Sequence, residues 1–129
     1  MMGHSTQACG RAASDRVRLA FAAEETGMTD WRRARAAVID RVLTGEGETT
    51  AGERRTAFEN EGVPAPARAL LDKVTRHPYR VTDADVAAVK AAGFSEDQVF
   101  ELVIASALGQ ASRQCEAALA ALDAATRRE

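Results

Sequence analysis

A long helical segment in the last third of the chain constrains the fold more than any other feature. It begins at Ser95, which stands three residues before Gln98 in the spacing of a capping box. The pattern continues from Glu96 to about Thr126, with a bend expected at Gly109. The first half is apolar almost all round, through Val99, Phe100, Leu102, Val103, Ile104 and Leu108. Such a helix is buried on most of its sides, so we predict an all-α helical bundle around it.

The composition supports this prediction and excludes several other classes of protein. The 129 residues correspond to about one domain. Hydrophobic residues make up 46%, but 28 of those 59 residues are alanine, so the core has few large side chains. Because β-branched residues are sparse, an all-β domain is excluded. A coiled-coil rod, a collagen-like chain and a disordered acidic tail are excluded as well.

Start and stop signals divide the chain into an arm and one helical domain. Residues 1–13 are small and polar, and we predict that they form a flexible N-terminal arm. Residues 14–129 then form a single domain. Capping residues before apolar runs, and glycine or proline after them, predict helices at about 14–26, 30–43, 50–60, 67–75 and 83–92. The segment 61–66 is the best linker candidate.

The charge pattern argues against nucleic acid as a partner. The net charge is −2, so no global basic excess drives counterion release from DNA or RNA. Arginines do cluster at Arg32, Arg33, Arg35 and Arg41, and again at Arg54 and Arg55. They form no single stripe on a helix and acidic residues lie nearby, which favours a solvated face over a DNA-binding patch.

Cysteine number and hydropathy point to a cytoplasmic protein. Cys9 and Cys115 are too few for a disulfide scaffold, which favours a reducing compartment. Residues 1–13 contain no apolar run of the kind that a secretory signal requires. No stretch approaches the ~20 apolar residues that span a bilayer, so no membrane contact is expected.

Few residues have the spacing of a metal or catalytic site. His4, His77, Cys9 and Cys115 lack the close spacings of structural zinc ligands, and we predict no metal and no cofactor. Within its helix, Cys115 is expected to be a small buried hydrophobe rather than a nucleophile. No nucleophile motif and no phosphate-binding loop are present.

Two polar residues of the long helix have alternative interpretations. Glu101 lies inside the most apolar stretch, where a carboxylate is either paired or has its pKa raised. It is a candidate proton-transfer group, but we favour an ion pair with Lys90, Arg80 or Arg113. Arg113 itself is either a surface residue or an anchor for an acidic group across an interface.

Small residues on the same helix suggest close packing against another backbone. Ala105, Gly109 and Ser112 lie at positions i, i+4 and i+7, on one face. This small-residue stripe packs either against a second copy of the chain or against helices of its own chain. Because a chain with few large side chains buries little area alone, homo-oligomerisation through the stripe is one of our predictions.

The segment from Leu70 to Leu122 resembles the AhpD-like proteins, the carboxymuconolactone decarboxylase and alkylhydroperoxidase superfamily. The resemblance is carried by residues 71–78 (LDKVTRHP), 81–86 (VTDADV) and 92–102 (AGFSEDQVFEL), followed by the long alanine-rich helix. It implies an AhpD-like helical fold over residues 64–126, with divergent helices at 14–60. It also implies assembly into trimers or hexamers through the long helices.

The resemblance implies a peroxide-reducing or lactone-acid chemistry only for the active members of the family. Their peroxide-reducing branch uses a C-x-x-C pair with a nearby Glu and His, one thiolate attacking the peroxide and the other resolving the sulfenate. The helix that would carry this motif corresponds here to residues 31–43, which contain neither Cys nor His. No catalytic residue is therefore transferred from the family.

The sequence leads to one preferred function and two alternatives. We favour a non-catalytic AhpD-like protein that acts as a homo-oligomeric scaffold or as an accessory subunit. The first alternative is an enzyme, peroxide-reducing or acting on a small acid, with a different site. Its candidate residues are Glu101, His77, Tyr79 and Cys115, with Arg113 and Arg80 as candidate binding residues. The second is a DNA-associated module that uses the arginine-rich second helix.

Overall fold

The computed structural model describes residues 30–128, and every regular element in that range is helical. The described part of α1 covers residues 30–44, and the later helices are α2, Ala51–Glu59; α3, Ala67–Arg76; α4, Asp83–Ala91; and α5, Glu96–Arg127. A 3-10 turn, Pro78–Arg80, follows α3. The all-α prediction is confirmed for these residues. The expected arm at 1–13 and the expected helix at 14–26 lie outside them.

The chain divides into two compact units, Met1–Val38 and Ile39–Glu129. In the first unit, the described residues 30–38 are helical, and the Arg35 guanidinium lies 5.2 Å from the centre of the Trp31 ring. This is the distance of a cation–π contact. The core and the sites described below belong to the second unit.

Local capping signals determine where three of the helices begin. The Thr50 hydroxyl accepts the Glu53 N–H at 3.1 Å, and the Glu53 carboxylate accepts the Thr50 N–H at 3.2 Å. Ser95 and Gln98 cap each other in the same way at 3.1 and 2.9 Å. Both predicted capping boxes are confirmed, and a third opens α4. Each box satisfies backbone donors that the first turn of a helix leaves without partners.

One face of α5 forms the centre of the core. Helices α2, α3 and α4 all pack against it. The buried core residues are Ala57, Val63, Ala67, Leu70, Leu71, Val89, Val99, Leu102 and Ala105. The first half of α5 is buried or half-buried on most sides, as predicted: between residues 98 and 110, only Phe100, Ile104 and Ala107 are exposed. These three lie on one narrow strip, where Phe100 is 64% exposed and Ile104 is 40% exposed.

Helix α5 is long for a chain of this size. Its 32 residues extend about 48 Å at 1.5 Å per residue. It continues through Gly109 as one α-helix. Among residues 30–128, none of the helices combines the length and hydropathy needed to cross a bilayer.

Candidate functional site

The Glu101 side chain connects α5 to the loop between α1 and α2. One carboxylate oxygen accepts the Glu48 N–H at 2.7 Å. The other accepts the Thr49 N–H at 2.8 Å and the Thr49 hydroxyl at 2.5 Å. These bonds replace the expected ion pair with a cationic side chain of α4, α5 or the 3-10 turn. A Cβ added to Gly47 would lie only 2.6 Å from the Glu101 carboxylate. The loop can therefore lie this close to Glu101 only because residue 47 is glycine.

The electrostatics of Glu101 favour its charged form. Burial raises the pKa of this carboxyl. The hydrogen bonds from Thr49 and Glu48, together with the charge of Arg54, lower the pKa by more than burial raises it, so the net shift is downward. A general acid needs the opposite shift, because it must retain a proton near neutral pH. The hydrogen bonds therefore give Glu101 a structural role in holding the loop before α2.

Arg54 connects the first turn of α2 to the end of α1. It is 6% exposed, and its Nη1 donates to the Val42 carbonyl oxygen at 2.8 Å. That carbonyl belongs to the last turn of α1, where carbonyl groups lack partners within the helix. The solvated face expected for Arg54 is therefore wrong. Its neighbour Arg55 is exposed, as expected.

Arg113 caps the carboxyl end of α2. Its Nη1 donates to the Phe58 carbonyl oxygen at 2.6 Å, and its Nη2 donates to the Gln110 side chain at 3.2 Å. The acceptor that Arg113 binds is thus a backbone carbonyl of its own chain. Arg113 is exposed, as the surface alternative from the sequence expects, and its contact with the end of α2 is an addition that the sequence did not indicate.

The small-residue stripe packs against α2 of the same chain. Ala105 is fully buried and Ser112 is 7% exposed. A Cβ added to Gly109 would overlap the Phe58 carbonyl oxygen and lie 2.7 Å from the carbonyl carbon. The space in front of the stripe is therefore occupied by the Phe58 backbone. The prediction that these three residues form a homo-oligomer interface is wrong. The other alternative from the sequence, packing against a helix of the same chain, is the one observed.

The remaining candidate residues lie apart from Glu101 and Arg113. His77, Tyr79 and Arg80 are exposed at the 3-10 turn after α3. The Tyr79 hydroxyl lies 3.3 Å from Nδ1 of His77, and the Arg80 guanidinium lies 5.8 Å from the centre of the Tyr79 ring. Hydrogen bonds join these residues to one another and not to Glu101 or Arg113. In the described part of the chain, no hydrogen bond or ring contact therefore joins His77 or Tyr79 to Glu101 or Arg113.

Cys115 is half-buried on α5 and carries a free thiol. The sequence predicted that Cys115 is buried, but it is only half-buried, because the carboxyl-terminal turns of α5 extend past the core. In the described part of the chain, no three or more His, Cys, Asp or Glu residues stand where they could hold a metal ion.

Two cavities on the second unit were not identified from the sequence. The larger, of about 370 Å³, has an apolar floor that includes Leu71, Leu102 and Phe94. The polar groups at its rim are already used within the chain, since Glu53 caps α2 and the Thr56 hydroxyl donates to the Gly52 carbonyl at 2.9 Å. The smaller, of about 170 Å³, is lined by Arg41, Val42, Glu46, Arg54, Phe100, Glu101 and Ile104.

The outward face of α5 carries a continuous row of apolar residues. We call this row the outer stripe, and its members are Phe100, Ile104, Ala107, Ala111, Cys115, Ala118 and Leu122. The spacings are three or four residues, which place all members on one side of the helix. All are exposed except the half-buried Cys115, and Leu122 is 59% exposed. The sequence contains this spacing, but the prediction of a mostly buried helix did not single out the one exposed strip.

Comparison with family models, with curated proteins and with solved structures finds no match to this chain.

Proposed function

We propose that this protein is a non-catalytic helical scaffold, which acts by associating with a second copy of itself through the outer stripe of α5. The observation that carries the proposal is the exposure of three large apolar side chains in that stripe. Phe100, Ile104 and Leu122 are 64%, 40% and 59% exposed. Scattered apolar residues are normal on a protein surface, whereas a contiguous apolar patch of roughly 300–600 Å² is often functional.

The contacts of the polar candidate residues support a structural role for them. Glu101 holds the loop before α2, and Arg113 caps the end of α2. His77 and Tyr79 contact each other on an exposed turn. A group that acts on a substrate must reach it, but Glu101 and Arg113 both make hydrogen bonds to backbone and side-chain groups of their own chain.

The resemblance to AhpD-like proteins over residues 64–126 is part of this proposal. It is supported by the capping chemistry at Thr82 and Ser95, since both boxes lie within the segments that carry the resemblance. The compartment we propose is the cytoplasm, and the free thiol of Cys115 supports this choice.

The experiment is a measurement of molar mass by sedimentation velocity over a concentration series from about 1 to 200 µM, the range where weak interfaces associate. We expect mass to rise with concentration for the wild type. The double variant Phe100→Ser with Leu122→Ser should remain monomeric. Tyr79→Ser is the matched control, because Tyr79 is 77% exposed but lies outside α5 and its loss should leave association unchanged.

Two results would overturn the proposal. The first is a wild type that stays monomeric throughout the series. The second is turnover of hydrogen peroxide by the purified wild type with a dithiol reductant, especially if Cys115→Ser abolishes it. That activity would establish the enzymatic alternative, with Cys115 as its reactive thiol.

A further inference from the structure

The outer stripe has the same spacing when counted from either end. Outward from Ala111, its members stand four, seven and eleven positions away on both sides. These positions are Ala107 and Cys115, Ile104 and Ala118, and Phe100 and Leu122. In an antiparallel pair of identical helices, a two-fold axis brings together residues that are equidistant from the axis. We propose that α5 pairs antiparallel with α5 of a second copy, with the two-fold axis beside Ala111.

This inference rests on the proposed function, since it names the orientation and register of the self-association proposed there. Side-chain sizes support the register. Ile104 would pack against Ala118 of the second copy, so that a large side chain meets a small one. At the axis Ala111 would meet its own copy, which lets the helix axes approach to the ~8–10 Å of close packing. At each end of the interface Phe100 would pack against Leu122 of the second copy, so the two largest pairs flank a centre made of small residues.

The distribution of charge along α5 favours the antiparallel orientation. The helix begins with Glu96 and Asp97 and ends with Arg127, followed by Arg128. Glu96 and position 126 lie equally far from Ala111, so position 126 of the second copy would lie beside Glu96. Arg128 of the second copy, two residues later, would lie ~3 Å beyond Glu96 along the helix. A parallel pair would instead place Glu96 against Glu96, and like charges in contact oppose association. Arg127 already pairs with Asp123 of its own helix at 3.1 Å, which leaves Arg128 as the better partner.

The expected interface is small. From Phe100 to Leu122 the stripe extends ~33 Å, and with a helix diameter of ~10 Å the footprint is roughly 330 Å² per chain. A standard stable interface buries ~800 Å² per partner. We therefore expect a dissociation constant in the micromolar range or weaker, and the experiment must be made at high protein concentration.

Disulfide cross-linking distinguishes the proposed geometry from others. Each variant carries Cys9→Ser, so that only thiols of α5 react. The first adds Ala111→Cys and Cys115→Ser, which leaves one thiol at the axis, where Cα atoms of the two chains would lie ~4–6 Å apart, within disulfide range. The second keeps Cys115 alone. Its two copies would be eight residues apart along the pair, or ~12 Å, which is beyond the ~7 Å limit for a disulfide.

We expect mild oxidation at about 200 µM protein to convert the Ala111→Cys variant into a covalent dimer at least ten times faster than the Cys115-only variant. A third variant, which keeps Cys115 and adds Ala107→Cys, should cross-link as well, because these positions face each other in the proposed register. The far-UV circular dichroism of each variant should match the wild type, since both substituted alanines are exposed.

Each outcome bears on a different part of the argument. Rapid cross-linking of the Cys115-only variant would overturn the proposed geometry, because two copies of that residue meet only in a parallel pair or in an antiparallel pair with its axis beside Cys115. A concentration-dependent dimer in which Ala111→Cys fails to cross-link would overturn the register and leave the proposed function standing. A protein that sediments as a monomer at every concentration would remove both.

A charge-reversal pair gives a second, non-covalent test. Glu96→Lys should weaken association at least threefold, and adding Arg128→Glu should restore it, because both charges are reversed together. Failure of the second substitution to restore association would overturn the proposed contact between these positions.

Discussion

Replacing Glu101 by glutamine tests how the loop between α1 and α2 is held. The substitution keeps the size of the side chain and removes its charge. The carboxylate accepts three hydrogen bonds, one from Glu48 and two from Thr49. An amide has one acceptor oxygen, and its NH₂ group would point at donors. At least one donor therefore loses its partner.

The magnitude follows from the burial of those donors. Glu48 is exposed, so water can replace the lost bond, whereas Thr49 is only 4% exposed. A hydrogen bond to a charged group contributes about 1.5–3 kcal/mol, and an unsatisfied buried donor costs about 1–3 kcal/mol. We expect Glu101→Gln to lower the free energy of unfolding by about 1.5–3 kcal/mol at neutral pH, because the neutral amide cannot accept all three bonds and those it keeps are no longer made to a charged group.

The pH dependence provides an independent check with a defined sign. The folded-state pKa of Glu101 is lowered, because the hydrogen bonds and Arg54 outweigh the burial that raises it. Its stabilising contribution is therefore fully present above the ordinary value of 4.5 and is lost as the pH falls through the folded-state pKa. The difference in stability between wild type and Glu101→Gln should be constant from pH 7 to 5 and shrink below that.

Urea unfolding followed by circular dichroism measures both effects. Glu61→Gln is the control, because the same chemical change at an exposed position should alter stability by less than about 0.5 kcal/mol. If Glu101→Gln unfolds at the same urea concentration as the wild type, the carboxylate does not hold the loop. A difference that grows as the pH falls would contradict the direction of the pKa shift.

Three further substitutions test close contacts and one ion pair. Gly47→Ala should lower the free energy of unfolding by about 1–3 kcal/mol, because the new Cβ would overpack against the Glu101 carboxylate. The loss should be much smaller in a Glu101→Ala background, where that carboxylate is absent. Equal losses in both backgrounds, measured by urea unfolding, would refute the contact. Gly109→Ala should destabilise the protein although alanine is the better helix former by about 1 kcal/mol, since the new Cβ meets the backbone of Phe58; a rise in the melting temperature would refute this. Asp85→Asn should lower the melting temperature at pH 7, because hydrogen bonds from Lys73 and Thr82 lower the pKa of Asp85 and so stabilise its charged form in the folded protein. The effect should shrink below pH 3.8, where this carboxylate becomes protonated. A difference in melting temperature that does not change with pH would contradict this explanation.

Local signals made part of the fold predictable from the sequence. Thr50 and Ser95 lie three residues before their capping partners, so each box is determined within one turn and was predicted correctly. Gly93, with φ of 109°, ends α4 as expected for a glycine after an apolar run. These features depend on neighbours in the sequence and not on the packing of distant elements.

The contacts that decide the roles of the polar residues are long-range, which is why the sequence did not reveal them. Glu101 meets a loop 52 residues earlier, and Arg113 meets a carbonyl 55 residues earlier. The partners of these two side chains are backbone groups, which every residue carries, together with the uncharged Thr49 hydroxyl. A search of side chains for complementary charges therefore had no signal to detect. The burial of Arg54 has the same cause, since its acceptor is a carbonyl of α1.

The composition of the outer stripe separates two explanations of its apolar character. Its alanines follow from helix propensity alone, because alanine is the best helix former at any exposed position. Propensity does not account for Phe100 or Ile104, since aromatic and β-branched residues are poorer helix formers than the lysine or glutamate that a solvated face would carry. Leu122, exposed on the same line eleven residues beyond Ala111, forms as good a helix as those residues but adds apolar surface that water disfavours. These large side chains are explained if they are covered in the assembled protein, so their substitution by serine, rather than any change among the alanines, decides whether the outer stripe is an interface.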